Sequence, residues 1–203
     1  MDAKTQHYFS EVQQGQYNPK LIKSVIRGRI IELFTAPGMF SPRKLDLGSK
    51  LLINECRIID GQYVLDLGCG YGAVGISLSL FFPTSKFLLV DINERALKLA
   101  KKNKEFHRLD NVEIKKSNSF YNIPKDELFD IILLNPPQSA GKDLCQSMIK
   151  DSFSHLRSGG SLQLVARQHK GGKSLSQYMT SVFGNVEVIG KKSGYRIYLS
   201  EKK

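Results

Sequence analysis

Val64-Leu65-Asp66-Leu67-Gly68-Cys69-Gly70-Tyr71-Gly72 is a short apolar strand running straight into a glycine-packed turn. Gly68, Gly70 and Gly72 lack a Cβ, so the chain can take left-handed dihedrals there and a ligand can lie against bare peptide groups. Ala73, Val74, Ile76, Leu78, Phe81 and Phe82 follow at spacings that suit a buried helix, predicted to run to about Phe82. A strand, a glycine turn and a helix N-terminus in that order make a nucleotide site. Asp66 stands before the first glycine, and Asp91 ends the next apolar run, Phe87-Leu88-Leu89-Val90. A carboxylate about twenty residues past the glycines can accept hydrogen bonds from ribose hydroxyls. Gly68-x-Gly70-x-x-Ala73 also satisfies the dinucleotide fingerprint, so these residues specify ribose without choosing the cofactor.

Asn135-Pro136-Pro137, after the run Phe129-Asp130-Ile131-Ile132-Leu133-Leu134, narrows the choice. Two prolines cannot continue a central strand, so its mouth becomes a rigid loop poor in N–H donors. The lone pair of an exocyclic amine or amide nitrogen is delocalised. It becomes nucleophilic when both N–H bonds are held by fixed acceptors, and the Asn135 side-chain oxygen and the Pro136 carbonyl are two such acceptors.

With these motifs the chain resembles the class I S-adenosylmethionine (SAM)-dependent methyltransferases. It is similar in particular to the small-subunit ribosomal RNA guanine-N2 methyltransferases of the methyltransferase small domain family. Other matching segments are His7-Tyr8-Phe9-Ser10, Pro37-Gly38-Met39-Phe40-Ser41, Asp46-x-Gly48-Ser49 and Gly141-Lys142. The resemblance implies a Rossmann-like α/β fold, a doubly wound seven-stranded sheet with an antiparallel last strand. It implies SAM as cofactor, its methionine part on Asp66, Gly68, Cys69 and Gly70, and its ribose on Asp91 beside Ile92. It further implies that Phe40, Asp46 and Gly48 close over the cofactor, and that Asn135, Pro136 and Pro137 hold the target amine. Many relatives place an acid after the third strand to meet the adenine amino group. Here Asn118, followed by Ser119, stands in that place, and an amide oxygen can accept the same bond. Gln138 stands where adenine-N6 and glutamine-amide methyltransferases carry an aromatic, which argues against those substrates.

The 203 residues suffice for one domain with a full core, and 41% are hydrophobic. A formal charge of +11 suggests a polyanionic partner. From Arg157 onward nine lysines and arginines face only Glu187 and Glu201. A lysine-rich solvated surface and a phosphate-tracking patch both fit that skew. Joined to the amine-binding loop, it points to RNA, and to ribosomal RNA or the small subunit through the resemblance. No apolar run is long enough to span a bilayer and Met1-Asp2-Ala3-Lys4 opens no signal peptide, so a cytoplasmic location is expected. Cys56, Cys69 and Cys145 have neither disulfide nor zinc spacing, and His7, His107, His155 and His169 are scattered, so no metal is expected. A monomer is compatible with all of this.

Residues 1–60 read as an N-terminal extension of a short hairpin and a helix, with a strand at Arg29–Thr35, a turn at Pro37-Gly38, and Leu47, Leu51 and Leu52 at helical spacing. Tyr8 and Phe9 read as packing residues of this extension. Residues 61–203 read as the catalytic domain. Its predicted strands are Tyr63–Leu67, Lys86–Asp91, Val112–Lys116, a run ending at Leu134, Ser161–Ala166, Val186–Ile189 and Tyr195–Ser200. Asn93 caps a helix with Ala96, Leu99, Asn103 and Phe106 on one face. Gly159-Gly160 is predicted to stop the helix that carries Cys145, Met148, Ile149, Phe153 and Leu156. A last helix spans Lys173 to Phe183. A nicotinamide-dependent oxidoreductase, a non-catalytic RNA-binding module, and a methyltransferase of protein amides or small amines share parts of this pattern.

Overall fold

The computed structural model describes residues 18–39, 41–136 and 141–203. His7, Tyr8, Phe9, Phe40, Pro137 and Gln138, singled out in the sequence, lie outside the described residues. A hairpin opens the described chain: β1 (Lys20–Ile26) pairs antiparallel with β2 (Arg29–Thr35) through Arg27-Gly28, both at positive φ (44° and 78°), as a two-residue hairpin turn requires. The turn is tied to α1 (Leu47–Glu55). Arg27 Nε donates to Ile53 O at 2.8 Å and its Nη2 to Cys56 O at 3.1 Å, which satisfies carbonyls at the helix end.

The main sheet follows, with β3 (Tyr63–Leu67), α2 (Ala73–Ser79), β4 (Lys86–Asp91), α3 (Glu94–Phe106), β5 (Val112–Lys116), β6 (Phe129–Leu134), α4 (Lys142–Ser154), β7 (Leu156–Arg167), α5 (Lys173–Phe183), β8 (Glu187–Lys192) and β9 (Tyr195–Glu201). Its order is β5-β4-β3-β6-β7-β9-β8, parallel through β7, with β9 antiparallel to both of its neighbours. The expected seven-stranded doubly wound sheet is therefore present. β3, β4 and β5 step one way and β6 and β7 the other, so the topological switch lies between the carboxyl ends of β3 and β6.

One apolar cluster covers each face. Ile31 and Leu33 of the hairpin, Leu52 of α1, Ile76 of α2 and Leu99 of α3 pack on one, while Met148 and Ile149 of α4 and Leu175 and Met179 of α5 pack on the other. The central strands are buried on both faces, which accounts for their continuous rather than alternating hydrophobicity.

Three boundaries differ from the sequence expectation. α2 ends at Ser79 rather than near Phe82: the chain tightens there, Phe81 N donating to Leu78 O at 2.9 Å, ahead of Pro83, which has no N–H to carry a helix on. Leu156 is in β7, not in α4, and Gly159-Gly160 does not end a helix; it lies inside β7. There the register jumps from Phe129 opposite Leu156 to Ile131 opposite Ser161, and Gly160 passes so close to β6 that a Cβ would stand 2.9 Å from Asp130 O. Gly190 likewise lies within β8, against Glu55 of α1, and the connection to β9 is the turn Ser193-Gly194. Phe106, expected on the buried face of α3, is 44% exposed at that helix's last turn.

Candidate active site

Asp66, Asp91 and Asn135 end or nearly end three neighbouring strands and so reach the same edge of the sheet. The loop after β3 is held from both sides. Gly68 N and Cys69 N both donate to Val90 O at 2.9 Å, and Gly70 N donates to Asp91 Oδ2 at 2.8 Å. Asp91 Oδ1 accepts from Asn93 N at 2.9 Å, while Asn93 caps α3 as its sequence predicts. Asp66 Oδ2 accepts from Gly75 N at 2.8 Å.

Gly75 was missed in the sequence. A Cβ there would stand 2.6 Å from Leu89 Cδ1 and 3.1 Å from Asp66 Oδ2, so only glycine lets α2 sit this close to β4. Its signal was the spacing Gly72-x-x-Gly75 at the start of a helix. Gly72 combines a φ of 83° with a Cβ position 2.7 Å from Ile76 Cγ1, and so is required by conformation and by space.

The two carboxylates share a hidden electrostatic cost. Burial, offset in part by the Gly75 N–H and reinforced by the Asp91 charge, lifts Asp66 to about 7. Burial also raises Asp91, against the lowering effect of the Asn93, Gly70 and Ile92 N–H groups. Each ionised carboxylate has lone pairs beyond those accepting from the backbone. Ser119, at φ 51°, leaves its Oγ buried without a partner among the described residues, and Tyr71 leaves its phenol oxygen in the same condition. Two buried carboxylates with acceptor capacity to spare fit a ligand that is rich in donors and positively charged.

The remaining sequence candidates cluster here with different duties. Ile92 follows Asp91, half-buried. Asn118 is exposed in the turn after β5, where Tyr121 N donates to its carbonyl at 3.0 Å. The Cys69 thiol is buried, and burial holds it protonated. Asp46 is the N-cap of α1, accepting from Ser49 N at 2.9 Å, and buried Gly48 touches Tyr195 closely enough that a Cβ would meet its ring at 3.0 Å. Asn135 is half-buried and Pro136 buried. Asn135 Nδ2 donates to Ser49 Oγ at 3.0 Å and approaches Asp46 Oδ1 at 3.5 Å.

Asn103 is the second residue whose role escaped the sequence. Fully buried on α3, it accepts from Phe34 N at 2.6 Å and donates to Phe34 O and Tyr71 O at 3.0 and 2.9 Å, which clamps β2 to the glycine loop. A polar residue on an otherwise apolar helix face was its trace.

The methyltransferase small domain family profile matches residues 30–199. The chain belongs to this family. The chain is a class I SAM-dependent methyltransferase, with S-adenosylmethionine as its cofactor. It is 34% identical over 200 residues to the uncharacterized protein YbxB of Bacillus subtilis, covering 98% of this chain and 99% of that protein. It is 32% identical over 172 residues to ribosomal RNA small subunit methyltransferase C of Erwinia tasmaniensis, covering 83% of this chain and 48% of that protein. The chain thus spans about half the length of that ribosomal RNA enzyme. Among solved structures, the T. thermophilus 16S rRNA guanosine-N2 methyltransferase (RsmC) in complex with AdoMet and guanosine is similar with a TM-score of 0.81 at 25% identity, covering 93% of this chain and 52% of that one. Among the described residues no helix is long and apolar enough to cross a membrane, and no cluster of histidine, cysteine and acids is suited to a metal ion.

Proposed function

We propose that the chain methylates the exocyclic amine of a base in RNA, guanine N2 of ribosomal RNA. The observation that carries this reading is the anchoring of Asn135: its Nδ2 is engaged by Ser49 and Asp46, which leaves Oδ1 as an acceptor at the mouth of β6. SAM supplies a methyl group activated by a sulfonium. Asp66, Gly68, Cys69 and Gly70 would hold its methionine end, Asp91 and Ile92 its ribose, and Asn118 and Ser119 its adenine, with Asp46 and Gly48 bordering the site. Asn135 Oδ1 and the Pro136 carbonyl each accept one N–H of the amine. The amine nitrogen becomes acidic as its new bond forms, so water suffices to take the proton. Catalysis on this reading is chiefly orientation, aided by acceptors matched to growing positive charge.

Two further facts support an RNA substrate. Similar proteins carry ribosomal RNA methyltransferase names. Exposed Lys191 and Lys192 end β8, and Lys170 and Lys173 follow β7, at the same sheet edge as Asn135, where the Arg167 guanidinium lies 4.9 Å from the centre of the Tyr195 ring. Such a basic rim suits phosphates. Incubation with methyl-labelled SAM and unmodified small-subunit RNA, as naked RNA and as assembled particle, followed by nucleoside analysis, tests the proposal. Label in N2-methylguanosine is expected. Label in N6-methyladenosine, in protein only or nowhere refutes it.

The carboxylate near neutrality gives a second test. A cation beside Asp66 favours its ionised form, so SAM should displace the proton held on Asp66 at about pH 7. Affinity for SAM is expected to rise between pH 6 and 8, with proton uptake by the buffer measured by calorimetry in buffers of different ionisation enthalpy. The linked effect on folding has the opposite sign. Folded Asp66 keeps its proton to about pH 7 whereas the unfolded group loses it near 3.8, so its contribution to the stability of the cofactor-free protein falls across that interval. A SAM affinity that is flat from pH 6 to 8 contradicts the assignment of Asp66 to the cofactor.

A further inference from the structure

We infer that Ser49 and Asp46 are positioning residues that fix which way the Asn135 amide faces; the inference rests on the reading of Asn135 as an amine acceptor. An asparagine side chain has two nearly isosteric ends, one donating and one accepting, and a rotation of half a turn about its last bond exchanges them. Such a rotation at Asn135 would present two N–H groups to an incoming amine, which offers N–H groups of its own, and binding would be lost. The backbone of β6 places the Asn135 side chain but does not choose between the two orientations.

The choice is made from α1. Asp46 Oδ1 is an acceptor with no proton when ionised, and it stands 3.5 Å from one end of the amide, so that end must be nitrogen. The Ser49 hydroxyl oxygen is 3.0 Å from the same nitrogen and accepts from it. The opposite orientation sets the amide oxygen against a carboxylate oxygen. Asp46 is in turn immobilised as the N-cap of α1 by the Ser49 backbone N–H at 2.9 Å, so the carboxylate selects the orientation, and the hydroxyl of Ser49, 5% exposed, adds a second acceptor that reinforces it. The buried Tyr71 ring lies near enough for the Asp46 charge to act on its phenol, after burial the second cause of that group's raised pKa. Acceptors on the N–H side also polarise the amide and make its oxygen a stronger acceptor, since hydrogen bonds in a chain reinforce one another. This explains why the helix before the catalytic sheet opens with Asp-x-Gly-Ser: Asp46 and Ser49 face β6, and Gly48 gives clearance beside Tyr195.

Ser49→Ala removes the hydroxyl while leaving the backbone N–H that Asp46 caps. The expected result is a loss of about tenfold in kcat, the size of one hydrogen bond, with SAM affinity and melting temperature close to the parent values. In an Asn135→Ala background the same substitution should cost nothing further, because Ser49 acts through Asn135. A structural contribution would instead add in both backgrounds. An activity-independent readout is the exchange of the Asn135 side-chain NH2 protons by NMR: protected in the parent protein, exposed in Ser49→Ala. A Ser49→Ala enzyme at parental rate, a full additive loss in the double variant, or equal NH2 exchange in parent and variant overturns the inference. If the parent protein methylates no RNA, the functional reading fails while the NH2 measurement still judges the orientation.

Discussion

Asn135→Ala is expected to slow methyl transfer by about 10²- to 10³-fold, the usual cost of deleting one preorganised polar partner of a transition state, while SAM affinity stays within about twofold. The asymmetry follows from position. Asn135 directly follows β6, on the other side of the topological switch from the glycine loop, and its described hydrogen bonds go to α1 rather than to the loop. Losing its side chain therefore leaves the contacts of Asp66 and Asp91 as they are. Asn135→Asp separates orientation from size. The carboxylate has nearly the same shape, but it must turn an oxygen toward Asp46 Oδ1 and Ser49 Oγ, so it puts two carboxylates together and is expected to be at least as inactive as alanine and less stable to heat. Single-turnover transfer to RNA, with calorimetric titration of SAM and thermal unfolding, provides the three numbers. A parental single-turnover rate for Asn135→Ala removes Asn135 from the chemistry.

What the sequence revealed and what it hid divide along the distance over which residues interact. The strands Tyr63–Leu67, Lys86–Asp91 and Val112–Lys116 and the helix Lys173–Phe183 were legible in the sequence, because apolar runs and periods are local and Gly184, at φ 75°, ends the last helix in the usual way. Asn93 was legible as a cap for the same reason. Gly159-Gly160 misled because a glycine pair signals a helix stop or a bulge equally well, and the deciding contact is with Asp130 on another strand. At the candidate site, Asp91 and Asn135 announced themselves by ending apolar runs. Ser49 and Asn103 did not, since their partners lie 86 and 69 residues away and are set by packing of α1 and of the hairpin on the sheet. Asp46 was legible through resemblance alone, as a cofactor-side residue; its place as the cap of α1 beside Asn135 comes from the fold.

Asp91→Ala is expected to damage both binding and stability, and the two losses have separate sources. Asp91 accepts from Gly70 N and Asn93 N with different oxygens, so alanine strands two buried N–H groups at about 1–3 kcal/mol each. Against this stands relief of a buried charge, whose cost is visible in the raised pKa of the carboxyl. The N–H groups outweigh that relief because alanine offers neither of them another acceptor, and each stays buried and unpaired. A net loss of about 2 kcal/mol lowers the melting temperature by about 4–8 °C in a chain of this size. Binding loses more. If the remaining lone pairs of Asp91 receive two ribose hydroxyls, each bond to the charged group is worth about 1.5–3 kcal/mol, and SAM affinity should fall by at least about 10²-fold. Asp91→Asn keeps one acceptor oxygen and turns an NH2 toward one of the two backbone donors, so it should fall between alanine and the parent in melting temperature while losing most of the affinity. Thermal unfolding without SAM and calorimetric titration with it distinguish the contributions. An alanine variant that melts early yet binds SAM like the parent makes Asp91 a loop brace alone, and one that keeps both properties removes it from the site.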